Sequence, residues 1–201
     1  MTAVRLPIQQ RQPWTLWPAP LLGAALLAAL LLPPVRQAME ASMTLHMLLQ
    51  YPAWLMAGAL LVGWVPRRWR AALQRSNELG VTGLLAAALT MAVLMVPRVL
   101  DLALVDLRVE AVKLLALLLS GAALRLSWQP AGTVVQAFYL GNVLPMLAVA
   151  GTLYQDSSTR LCSAYLLDDQ QTLGTALIGV AAGILVLWLL RLVWLNRAER
   201  G

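Results

Sequence analysis

MTLHMLLQYPAWLMAGALLVGWV, residues Met43 to Val65, contains no aspartate, glutamate, lysine or arginine. At about 1.5 Å per residue, such a stretch is long enough to cross the hydrocarbon core of a bilayer as an α-helix. Pro66 stops it, and three arginines follow at Arg67, Arg68 and Arg70. An apolar helix ended by proline and then by arginines reads as a membrane span with a topology signal at its end.

The pattern repeats along the chain. Hydrophobic residues make up 60% of the 201 positions and charged residues 12%. Soluble domains carry about 25% charged residues, so the composition excludes that class. Six helical segments are expected: Trp14 to Leu32, Met43 to Val65, Leu79 to Val96, Val109 to Trp128, Thr133 to Tyr154 and Gln171 to Leu195. Pro66, Pro97 and Pro130 mark the ends of the second, third and fourth. The fold class is therefore all-α, a polytopic membrane helix bundle forming a single domain over residues 1–201. The first segment follows Arg5 and Arg11 as a signal peptide would, but Pro33, Pro34 and Arg36 stand where a cleavage site would lie. It is read as an uncleaved first span.

Orientation follows from the arginines. Ten of them (Arg5, Arg11, Arg67, Arg68, Arg70, Arg75, Arg125, Arg191, Arg197 and Arg200) fall on one side, against Arg36, Arg98, Arg108 and Arg160 on the other. The positive-inside rule then places both termini in the cytoplasm. Trp14, Trp17, Trp64, Trp69, Trp128, Trp188 and Trp194 lie near the same arginine-rich face and read as an interfacial belt. The net charge of +6 is thus a topology signal, and nucleic acid is not an expected partner; the lipid bilayer is. Gly58, Gly63, Gly80, Gly83, Gly179 and Gly183 are expected to let helices approach closely.

One feature of the Met43 span is unusual. Its fourth residue, His46, is the only histidine in the chain. On a helix, Met39, Met43, His46 and Gln50 fall within about 60° of one face, with Met47 beside them. Met95 lies near the outer end of the third span, and the only cysteine, Cys162, in the outer loop between the fifth and sixth. Thioether, imidazole and thiol are donors that suit Cu(I). The same residues also have a plain reading, with methionine as apolar filler and His46 hydrogen-bonded to a neighbouring helix. A single cysteine excludes an internal disulfide and any Cys-only zinc site.

Two further groups stand out. Glu110 and Lys113, three apart at the start of the fourth span, can pair on one face as a structural ion pair or line an outer-facing polar cavity. Asp168 and Asp169 precede the sixth span, with Gln171 three residues after Asp168, as in a capping box. Phosphate-binding glycine loops, a nucleophile–histidine–acid set and a second histidine for haem are absent, so no enzyme activity is expected.

Three stretches together resemble the CtaG-like family of membrane proteins, linked to assembly of caa-type cytochrome c oxidases. They are HMLLQYPAWLMAG (His46 to Gly58), VPRVLDLAL (Val96 to Leu104) and LPMLAVAGTLYQDSSTRLCSAYLLDDQQTLGTALIGVAAG (Leu144 to Gly183). The chain departs from the family pattern where that pattern has histidines or a Trp-His pair: Ser42, Leu94, Met95, Glu110 and Leu114 stand at those positions, and Lys113 stands where the family has glutamate. It therefore resembles a divergent and shortened member. The resemblance implies a bacterial inner-membrane factor for biogenesis of a respiratory haem-copper oxidase, handling Cu(I) at the outer face. Its partners would be an oxidase subunit or a copper chaperone. A copper centre would draw on Met43 and His46, with Met39 or Met47, and with Met95 and Cys162 from neighbouring elements. A passive subunit of a larger membrane complex and a small transporter component are the rival readings. Central parts of the spans almost free of ionisable residues speak against the transporter.

Overall fold

The computed structural model describes residues 18–198. Trp14, Trp17, Arg5, Arg11 and Arg200 lie outside the described residues, and with them the expected start of the first span. The described chain is all-α. Its helices are α1 (Pro18–Leu31), α2 (Pro33–Glu40), α3 (Met43–Trp64), α4 (Arg67–Arg75), α5 (Val81–Leu94), α6 (Pro97–Val105), α7 (Leu107–Ser127), α8 (Gly132–Asp156) and α9 (Leu167–Ala198).

Three helices, Met43–Trp64, Gly132–Asp156 and Leu167–Trp194, are long and apolar enough to cross a membrane. Two bent pairs raise this to five if each pair is one crossing: α1 with α2, at 73°, and α5 with α6, at 76°. Prolines make both bends. Leu32 (ψ 126°) and Val96 (ψ 123°) precede Pro33 and Pro97 and are held extended, because the proline ring excludes the helical region for the residue before it.

The expected fourth span is α7, with 21 residues and Arg108, Glu110, Lys113 and Arg125 within it. It is the central helix, packing against α3, α5 and α6, and Glu110 and Lys113 are turned into the bundle at 1% exposure each. Pairing of Glu110 with Lys113 lets the helix keep these two charges in the middle of the bundle.

Close approach of α3 and α7 depends on two glycines. A Cβ at Gly58 would strike the Leu118 carbonyl, and one at Gly121 the Leu55 carbonyl. Gly179 and Gly183 differ from expectation: among the described residues nothing lies within 4 Å of where their Cβ would be. At the opposite end from His46, Gly80 turns into α5 with φ 68° beside the Ser127 carbonyl.

Within α3, residues His46–Gln50 form a π-helical turn. Pro52 supplies the cause. It has no N–H for the Leu48 carbonyl, and its ring crowds that carbonyl in α geometry; a wider turn relieves both. The result buries His46, Met47 and Gln50 together against α2 and α9, with Lys113 of α7 reaching in.

Candidate functional site

The α3 π-turn sits at the centre of a buried polar cluster. His46 is completely buried, and both its ring nitrogens are engaged. Nε2 is 2.8 Å from the Lys113 ammonium, which can only donate, so Nε2 accepts. That assigns the proton to Nδ1, which donates to the Tyr165 hydroxyl at 2.7 Å. Tyr165 in turn donates to the Glu40 carbonyl at 3.1 Å.

Lys113 makes three further contacts. Its Nζ is 2.7 Å from Glu110 Oε2, 3.4 Å from Gln50 Oε1, and 5.8 Å from the centre of the Tyr51 ring. Gln50 then donates to Glu40 Oε1 at 3.4 Å, and Arg36 Nε binds the same oxygen at 2.8 Å. Arg36 also lies 3.8 Å from Glu110 Oε1. Two cations, two carboxylates and a histidine whose Nε2 accepts thus form one charge-balanced group from α2, α3, α7 and the α8–α9 loop. Neither Glu110 oxygen takes an aligned hydrogen bond among the described residues, so its hold on Lys113 is electrostatic.

The loop of residues 157–166 is tied down over this cluster. Asp101 of α6 accepts from the Ser163 backbone and hydroxyl at 2.9 and 2.7 Å, and from the Ala164 backbone at 3.3 Å. Gln170 accepts from Leu161 N at 2.8 Å and donates to the Tyr154 carbonyl at 3.2 Å. Cys162 and Tyr165 are thereby buried.

Asp169 has a role that differs from the expected one. Helix α9 begins at Leu167, so Asp168 and Asp169 both lie within its first turn, where the helix dipole favours them. The Asp169 carboxylate reaches across to α3 instead. It accepts from Ser42 Oγ at 2.8 Å, Thr44 Oγ1 at 2.9 Å, and the backbone N–H groups of Met43 and Thr44. It caps another helix, 126 residues earlier in the chain.

The proposed copper donors are gathered but not arranged for a metal. Met43, Met47 and Cys162 are buried in one apolar cluster, with Met39 and Met95 packed against it. Cys162 Sγ is 3.8 Å from the Pro97 carbonyl. Burial, and then the negative charge of Asp101, push its thiol up to about 12, so in the metal-free fold it stays protonated near neutral pH. His46 has no free lone pair, because the Lys113 ammonium stands at Nε2. As folded, this set does not fit Cu(I). Among the described residues, no group of three or more His, Cys, Asp or Glu side chains is placed to hold a metal ion.

Sequence reading paired Glu110 with Lys113, as the structure has them, and put His46 and Gln50 on one face, but did not join the two groups. Arg36 and Glu40, one helical turn apart, carried a readable signal as an i,i+4 pair. Tyr165 carried none. Comparison with protein-family models, with curated proteins and with solved structures finds no match for this chain.

Proposed function

We propose that the chain is a multi-pass bacterial inner-membrane factor that assists assembly of a respiratory haem-copper oxidase, acting as a scaffold without turnover chemistry. One observation carries the reading. The three stretches that resemble the CtaG-like family pack on one another at the His46 end of the bundle. Tyr165 of the third binds His46 of the first and Asp169 binds the residues just before it, while Asp101 and Pro97 of the second bind Ser163 and Cys162 of the third. In this reading α1, α3, α5, α7, α8 and α9 are six crossings. The arginine-rich end is cytoplasmic, and the His46 cluster lies at the outer face. Cu(I) handling there requires Lys113 to leave Nε2 first.

The passive-subunit reading has its own support in the closed, charge-balanced cluster, in which each charged group already faces an opposite charge. Deletion of the gene, complemented by wild type or by His46→Leu, separates the two. The assembly reading expects loss of the oxidase haem absorbance and of its copper on deletion. Normal levels of both in the deletion strain would sink it. Oxidase missing on deletion but restored in full by a folded His46→Leu chain would leave only a packing role for the cluster.

A further inference from the structure

The opposite end of the bundle holds a second polar feature. Helix α3 closes on a 3-10 turn at Val62–Trp64, and Pro66 redirects the chain into α4. Between α3, α4 and the end of α7 lies a cavity of about 300 Å³, at the lower limit for small-ligand sites. Arg70 and Gln74 of α4, Arg125 of α7 and Gln129 beyond it provide its polar lining; Leu60 and Leu126 are among its apolar walls. No acidic side chain lines it among the described residues. Arg70 Nε is buried there and takes no hydrogen bond among the described residues. A buried donor without an acceptor is costly, and the Arg70 guanidinium beside two amide side chains favours an anion with several oxygens.

Helix α4 shows where that anion comes from. Its sequence, RRWRAALQR, carries four arginines and no acid. Trp69 and Leu73, one turn apart, are 58% and 51% exposed, and the Arg68 guanidinium lies 5.9 Å from the Trp69 ring centre. Apolar residues on one face of a basic helix mark an element lying in the membrane interface. There, Arg70 and Gln74 face the cavity at headgroup depth, and Leu60 and Leu126 continue its wall with apolar surface.

We propose that this cavity binds the phosphodiester of an anionic phospholipid, with Arg70, Gln74 and Gln129 as headgroup contacts. The site is separate from the His46 cluster and independent of the oxidase reading. Basic pockets between membrane helices recognise anionic headgroups in this way.

The test uses the full chain, delipidated in neutral detergent. Bound lipid is counted by native mass spectrometry with added phosphatidylglycerol, phosphatidylcholine or sodium phosphate. One phosphatidylglycerol is expected to bind, in preference to phosphatidylcholine, and to stay bound in millimolar phosphate. Arg70→Gln should weaken it at least about tenfold, the loss expected for hydrogen bonds to a charged group. Gln74→Leu, which keeps charge and helix, should weaken it about fivefold. Arg68→Gln removes the same charge from the exposed side of α4 and should stay within about twofold at 0.3 M salt, where surface charge is screened. Equal binding of both lipids would overturn the proposal, as would unchanged affinity in a folded Gln74→Leu chain. Displacement by millimolar phosphate would do so too, by identifying a soluble-anion site.

Discussion

Lys113 is the residue on which the buried cluster depends. Its ammonium neutralises Glu110, supplies the proton that His46 Nε2 accepts, and donates to Gln50. Removing one member of a buried pair leaves an uncompensated charge, whereas removing both leaves apolar packing. Lys113→Leu should therefore cost about 3–5 kcal/mol, and Lys113→Leu with Glu110→Leu much less. Thermal unfolding in detergent measures both, and equal melting points would dismiss the pair as a structural element. The same geometry bears on copper. Lys113→Met with Glu110→Gln removes the ammonium without leaving a bare carboxylate and adds a thioether beside Nε2. Competition against a Cu(I) chelator should find roughly one equivalent bound by this variant that wild type lacks, since a thioether then replaces the ammonium beside a free imidazole nitrogen. Adding His46→Leu should abolish it; binding that survives that change lies elsewhere. Sequence alone picked out His46 because a lone imidazole among apolar residues is chemically conspicuous. Its partner Tyr165 stands 119 positions away in a loop without periodicity, and only folding joins them.

At the scale of elements, the long helices were readable and the short ones were not. Runs such as Gly132–Asp156 announce themselves by apolar length, and their observed ends lie within a few residues of the expected ones. Helices α2, α4 and α6 have 8, 9 and 9 residues and are amphipathic or mixed, so no apolar run marks them. Neither bend could be measured from sequence, although Pro33 and Pro97 gave their positions. The reach of Asp169 to α3 was also hidden, because a cap supplied in trans has no local spacing. It yields a sharp contrast between neighbours. Asp169→Ala removes the acceptor for the first N–H groups of α3 and should destabilise by about 1–2 kcal/mol, the range for a lost N-cap. Asp168→Ala, which removes only a charge from the first turn of α9, should cost less than about 1 kcal/mol. Melting curves of the two variants in the same detergent decide it, and equal losses would refute the trans cap.

At the scale of the whole molecule, the two ends of the bundle differ in chemistry. One gathers the His46 cluster under a tied loop; the other gathers arginine and exposed tryptophan, with Trp64, Trp69 and Trp194 each more than half exposed. The proposed orientation, with the arginine end in the cytoplasm, accounts for that asymmetry and has a direct test. Cys162 is a poor probe despite its place in the loop over the His46 cluster. It is buried at 1% exposure, and its thiol is raised from an ordinary 9 to about 12. The folded state thus favours the protonated thiol: this contribution is intact below about pH 9 and is lost as pH rises through about 12. Wild type should resist an impermeant maleimide on intact cells and react only after unfolding. Exposed positions serve instead, on a Cys162→Ala background. Ser158→Cys lies in the loop over the His46 cluster, and Ser76→Cys follows α4 at the arginine end. With the arginine end inside, the reagent should label Ser158→Cys on intact cells and Ser76→Cys only after the membrane is opened. The reverse pattern would invert the bundle and place the His46 cluster in the cytoplasm. Labelling of both from outside would mean that the segment between them does not cross the membrane an odd number of times, which the six-crossing arrangement requires.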